Sequence, residues 1–199
     1  MSKKIKMIYF VLFIITVSML LFTGCQERDY RIQETIVETT PLPYNERPTV
    51  AVMPFRNLSG NQRIKEEALG STLLRTRLSN TDRFRIVPEE DVLSHISDGK
   101  KHNLSAGEAI SIARKTNSRY AVTGVIENVK IETSPGRTEV ELRTKIQVID
   151  TRTEKVKHSY SPTTTASDSS TGDNIEKLLL WTVKQEMINK TVNFLVSTL

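Results

Sequence analysis

Between Glu139 and Val148 the chain alternates without a break: Val140, Leu142, Thr144, Ile146 and Val148 are interleaved with Glu139, Glu141, Arg143, Lys145 and Gln147. A period of two puts the first set on one face of a strand and the charged set on the other. Such a strand is stable only in a sheet with one dry and one wet face, so a further layer must cover the apolar side. Turn formers frame it, Ser134-Pro135-Gly136-Arg137 before and Asp150-Thr151-Arg152-Thr153-Glu154 after. Beyond the turns lie two more strand-like runs, 120–131 and 156–165, so the three read as an antiparallel meander, closed by a loop of small residues at 167–172.

The covering layer is legible as helices. Ile64, Ala68, Leu69, Leu73, Leu74 and Leu78 supply i,i+4 apolar pairs over 62–80, and Leu178, Trp181, Ile188, Val192, Leu195 and Leu199 share one stripe of a last helix that begins near Asp173 and Glu176. Trp181 is expected in the core. Pro88 followed by Glu89, Glu90 and Asp91 opens a short helix from its first position. Ser105-Ala106-Gly107-Glu108 carries the capping-box pattern ahead of Ala109, Ile110, Ile112 and Ala113. Two strands precede these helices, a buried one at 50–55 and an alternating one at 82–87. The order is β-α-β-α-α-β-β-β-α, which predicts an α/β domain over 49–199 with a mixed sheet of about five strands flanked by helices.

The N-terminus has a different texture. Lys3, Lys4 and Lys6 precede an apolar run from Met7 to Leu21. Fifteen residues rise only about 22 Å as a helix, short of the ~30 Å hydrocarbon core, so export is a better reading than a spanning anchor. Leu21-Phe22-Thr23-Gly24 then leads to Cys25, the one cysteine of the chain. This segment resembles the lipobox of bacterial lipoproteins. The resemblance implies a signal peptide over 1–24, cleavage between Gly24 and Cys25, and acylation of Cys25, which holds the chain to lipid. It also implies the outer membrane, because Gln26 stands where an Asp would retain such proteins in the inner one. Residues 25–48 are then a lipidated tether: polar, with three prolines and no sustained period.

Charge follows from that boundary. The formal +5 of the whole chain includes the three lysines of 1–24 and no acid from that segment, leaving +2 for 25–199. A near-neutral domain has little electrostatic basis for binding nucleic acid.

Within the domain, Val50-Ala51-Val52-Met53-Pro54-Phe55 leads to Asn57-Leu58-Ser59-Gly60, and a helix ends before Asp82-Arg83-Phe84-Arg85-Ile86-Val87. Ala113-Arg114 comes shortly before Tyr120-Ala121-Val122-Thr123-Gly124, and two strands flank Ile149-Asp150-Thr151-Arg152-Thr153-Glu154. In this order the pieces are similar to the CsgG/LpoB-like superfamily of bacterial envelope lipoproteins, which includes an activator of a penicillin-binding protein and the curli-secretion channel. The resemblance implies a periplasmic, non-enzymatic domain whose partner is an envelope protein, either a penicillin-binding protein, as in regulation of peptidoglycan synthesis, or a secretion and assembly component in which the chain forms a homo-oligomer. The channel's long membrane-spanning hairpins have no counterpart between Ile131 and Val140, and 156–172 is polar.

No constellation of residues suggests catalysis. His95, His102 and His158 have no metal-ligand spacing, an acylated Cys25 is not a nucleophile, and neither a Gly-x-Ser-x-Gly elbow nor a phosphate loop is present. No catalytic residue, metal ligand or cofactor is therefore assigned. Glu89, Glu90 and Asp91 read as charges at a helix start, and Arg75, Arg77, Arg83, Arg85, Lys100 and Lys101 read as solvated, given the acids near them in sequence. Two regions are candidates for the partner surface: the loop residues Arg56, Asn57, Ser59 and Asn61, and the polar strand face Glu139, Glu141, Arg143 and Lys145.

Overall fold

A computed structural model describes residues 39–64, 67–97, 104–169 and 175–199, with side chains from residue 70 in the first helix. The expected signal peptide, Gly24, Cys25 and most of the tether lie outside these residues, as do Lys100, Lys101, His102 and Asp173. The architecture is α/β, as the sequence pattern predicts. Seven strands, β1 (Thr49–Val52), β2 (Arg56–Asn57), β3 (Arg85–Ile86), β4 (Tyr120–Ser134), β5 (Arg137–Asp150), β6 (Lys155–Tyr160) and β7 (Thr163–Asp168), form one mixed sheet. The helices are α1 (Glu67–Ser79), α2 (Glu89–Ser94), α3 (Ala106–Lys115), α4 (Ile175–Trp181) and α5 (Ile188–Thr198), the last two joined by a π-helical stretch, Thr182–Met187.

The sheet runs β3-β1-β4-β5-β6, with β2 added to β4 beyond β1 and β7 added to β5 beyond β6. The expected five strands therefore become seven by two interruptions, and a proline sits in each. Pro54 separates β1 from β2, and Pro162 separates β6 from β7. Proline has no N–H for the ladder. Its carbonyl is still usable: Thr144 N–H donates to the Pro162 oxygen at 3.1 Å, which carries the edge across the gap. Two further expectations are corrected. Ser167 and Asp168 belong to β7 rather than to a loop, because they pair with Glu139 and Thr138. Pro88 is the N-cap of α2, with ψ at 147°, and not its first helical residue.

β4 and β5 are 15 and 14 residues long and join through Pro135-Gly136, where Gly136 has φ +77°. Pro followed by a residue of positive φ is the sequence that a type II turn asks for. On the dry face, Val140, Leu142, Ile146 and Val148 are fully buried, as expected. The helix containing Leu178, Leu179, Met187, Ile188, Val192 and Leu195 lies on that face with α1. Thr182 and Thr191 are buried there too, because their hydroxyls donate to the Leu178 and Met187 carbonyls at 2.7 and 2.8 Å. Phe55 wedges between α1 and β4. A Cβ on Gly124 would sit 2.5 Å from its ring, so only glycine fits where the backbone comes that close. Trp181, at the end of α4, is half-buried.

Among the described residues, the opposite face is covered at one end only. Val92, Ile96, Ala109, Ile112 and Ala113, from α2, α3 and their flanks, pack on Ala51, Met53, Ala121 and Ile149. The capping box forms as predicted, with Ser105 accepting from the Glu108 N–H and Glu108 accepting from the Ser105 N–H. α3 ends in a Schellman motif, in which Asn117 has φ +51° and the N–H groups of Asn117 and Ser118 donate to Arg114 and Ala113 carbonyls at 3.0 and 2.7 Å.

Candidate interaction surface

β2 pairs Arg56 and Asn57 with Val125 and Ile126, and the chain then turns away through Leu58 to Asn61. Here Asn57 is a hub. Its amide donates to the Asn61 carbonyl at 3.0 Å, and its carbonyl oxygen accepts from the Ser59 N–H and hydroxyl at 3.1 and 2.6 Å. The Ser59 oxygen accepts in turn from the Asn61 N–H, and the Asn61 side chain from the Arg63 N–H. Three of the four loop candidates therefore hold the loop's shape through Asx-type turns. The loop shows to solvent partly exposed Arg56 and, above all, Leu58, which is 61% exposed and is not one of the candidates named from sequence.

The second candidate is built differently. Glu139, Glu141, Arg143 and Lys145 line the wet face of β5, flanked on β4 by Glu132, Lys130, Asn128 and Val125 and on β7 by Ser167, Thr165 and Thr163. The apolar contacts of α2 and α3 on this side stop at Ala121 and Ile149. Among the described residues, more than half of the β4–β5 hairpin therefore presents an open polar face three strands wide. Lys130 contacts Glu132 at 2.5 Å, and Arg137 contacts Glu139 at 2.9 Å. The Lys130 pairing relieves the repulsion expected where Glu132 stands opposite Glu139. The hydrogen bond and charge of Glu132 push the Lys130 pKa above its ordinary value, and Lys130 holds Glu132 below its own. The face is thus a mosaic of both signs.

The basic residues that sequence groups together are dispersed. Arg75 is buried, donates to the Val52 carbonyl and pairs with Glu89 at 2.8 Å, which also accepts from Thr72. Burial lowers its pKa while Glu89 opposes the shift. Arg77 reaches Gln185, and Arg85 lies on the far edge of the sheet. Glu89 is therefore a partner of Arg75 as well as a helix-start charge.

Another cluster joins segments distant in sequence. Asp150 accepts from the N–H groups of Arg152 and Thr153 at 2.9 and 3.2 Å and pairs with Arg119 at 2.7 Å. Burial disfavours its carboxylate, but these donors outweigh burial and hold the pKa below the ordinary value. Arg114 bonds the Thr151 carbonyl at 3.1 Å and pairs with Glu154 at 2.6 Å. Thr151 donates to the Ser118 carbonyl at 2.7 Å. Two pieces of the family-like pattern, around Ala113-Arg114 and 149–154, are thus one structural joint between α3 and the β5–β6 turn.

No family model matches the sequence, and no curated protein matches it. Solved structures do. Protein XCC0632 from Xanthomonas campestris matches with a TM-score of 0.51 at 10% identity, covering 81% of this chain and 92% of that one. The hypothetical protein CT253 from Chlamydia trachomatis matches with a TM-score of 0.50 at 16% identity, over 76% of this chain and 97% of the other. The C-terminal domain of LpoB from Escherichia coli is also among the similar structures, at a TM-score of 0.46 and 18% identity, covering 58% of this chain and 81% of that domain. At these identities the likeness is one of fold.

Proposed function

We propose that the chain is an outer-membrane lipoprotein, cleaved between Gly24 and Cys25 and acylated on Cys25, whose periplasmic domain binds an envelope protein without catalysing a reaction. The observation that carries this reading is the position of the single cysteine, at the end of a basic segment and a 15-residue apolar run. Several acyl chains at about 0.8 kcal/mol per buried CH₂ make such attachment effectively permanent. The domain follows on a tether of 23 residues after Cys25, which spans at most about 80 Å. Its partner therefore lies close to the membrane, and the open polar face of β4, β5 and β7 is the surface offered to it. By the sequence resemblance, the role is regulation or assembly of envelope machinery, in the manner of an LpoB-like activator of a penicillin-binding protein.

Metabolic labelling with an alkyne fatty acid tests the anchor. The wild-type chain is expected to take up label and to fractionate with outer membrane, and Cys25→Ala to do neither. Label on the Cys25→Ala chain would contradict the assignment.

A further inference from the structure

The far edge of the sheet carries a cavity of about 350 Å³ that neither the loop nor the β5 face touches. Tyr44, Arg85, Ile86, Asp91, His95 and Lys115 are among its walls, from the end of the tether, β3, α2 and the last residue of α3. Arg85 is held in place but has no carboxylate partner among the described residues. Its Nε donates to the Arg47 carbonyl at 3.1 Å, and its guanidinium lies 5.7 Å from the centre of the Tyr44 ring. Lys115 likewise has no acid partner among the described residues, whereas neighbouring Arg47 is committed to Asp82 at 2.8 Å. The fixed charge on the cavity wall is thus two cations against one acid, Asp91.

A strand edge borders the same space. β3 pairs only with β1 among the described strands, and Arg85 and Val87 donate their N–H groups to Pro48 and Val50 carbonyls at 3.0 Å each. Alternation leaves the Ile86 N–H and C=O on the outer side, with no protein partner among the described residues. Uncommitted cations beside an open backbone donor and acceptor match an extended chain that bears a carboxylate, since the edge takes its backbone and the cations take its charge. A phosphate would use the cations and leave the Ile86 carbonyl unanswered.

We infer that this cavity binds a short acidic peptide segment, which lies along the outer edge of β3 and places a carboxylate between Arg85 and Lys115. The inference borrows from the proposed function only the source of the peptide, an envelope protein; binding is measured on its own and stands even if Cys25 is not acylated.

The test uses the mature chain in detergent micelles and a fluorescein-labelled hexapeptide, Thr-Val-Glu-Val-Thr-Glu, with a free C-terminal carboxylate. The control peptide has Gln for Glu and a C-terminal amide. Fluorescence anisotropy is expected to show binding of the acidic peptide, at least about 10-fold tighter than the control. Arg85→Gln and Lys115→Gln should each weaken it about 5-fold, while Arg137→Gln, exposed at the β4–β5 turn and at the opposite end of the hairpin from Tyr120, leaves it unchanged. Raising NaCl from about 50 to about 300 mM should also weaken it. The Ile86 amide resonance should shift on titration. Equal affinity for the two peptides, indifference to Arg85→Gln and Lys115→Gln, a stationary Ile86 amide, or Arg85-dependent binding to phosphatidylglycerol vesicles in place of the peptide would each overturn the inference.

Discussion

Single residues decide where this fold tolerates no change. Gly124 faces the Phe55 ring, with three ring atoms within 2.6 Å of where a Cβ would stand. Gly124→Ala is therefore expected to cost about 1–3 kcal/mol in chemical denaturation, as overpacked cores do, and Phe55→Leu in the same chain should recover part of that loss. Asp150 gives a pH signature. Its folded pKa lies below its ordinary value, so it contributes stability above the unfolded pKa of about 3.9 and loses that contribution as pH falls through the folded value. Asp150→Asn should cost about 1 kcal/mol at pH 7, with the two unfolding curves converging once pH falls below the folded pKa of Asp150. A gap that persists in acid would contradict this role for the carboxylate. Asn57, Ser59 and Asn61 show how far a sequence reading carries at this scale. Their residue types announced a turn correctly, but those same types bond to their own backbone, and only coordinates show that the side chains are already used.

At the scale of elements, local signals and tertiary ones separate cleanly. The capping box of α3 and the Pro-Gly turn of the β4–β5 hairpin were legible because each is complete within four residues. Ser105→Ala should lower stability by about 1 kcal/mol by thermal melting, and a negligible change would mean that α3 is held by packing alone. The alternation in β5 was legible because half-buried strands obey a strict period. The splitting of β1 from β2 and of β6 from β7 was not, since a proline in an apolar or polar run reads equally as a strand end or an edge position. The partition is set by pairing with β4 and β5. The π-helical stretch was invisible for a similar reason. The Ile188 N–H bonds the Val183 carbonyl, five residues back, in a helix whose apolar stripe fits an ordinary α-helix as well.

For the whole molecule, the important asymmetry lies between the two faces of one sheet. α4 and the π-helical stretch pack on one side of β5, with α1 and α5 on the same face of the sheet, while among the described residues the other side is left open beyond Ala121 and Ile149. Isolated surface substitutions there should be nearly neutral for folding, within about 0.5 kcal/mol, because the face carries solvent-accessible charge and no core. Glu141→Lys combined with Arg143→Glu is thus expected to keep the melting temperature and yet reduce crosslinking of the chain to the proposed envelope partner. Retained crosslinking would move the binding surface elsewhere. The edges beside β3 and beyond β7 bear on assembly. Size-exclusion chromatography with light scattering on residues 26–199 reads this directly, and a strict monomer rules out a ring built through those edges.

The central claim is that a domain tied to lipid through Cys25 meets its protein partner across the open face of β5. A photocrosslinking amino acid placed at Glu141 in the full-length chain, with the crosslinked species resolved from isolated envelopes, tests it most directly. The expected result is a discrete adduct with another envelope protein that disappears when Cys25 is replaced by Ala. An absence of adducts from position 141, or the same adducts in the Cys25→Ala chain, would contradict it.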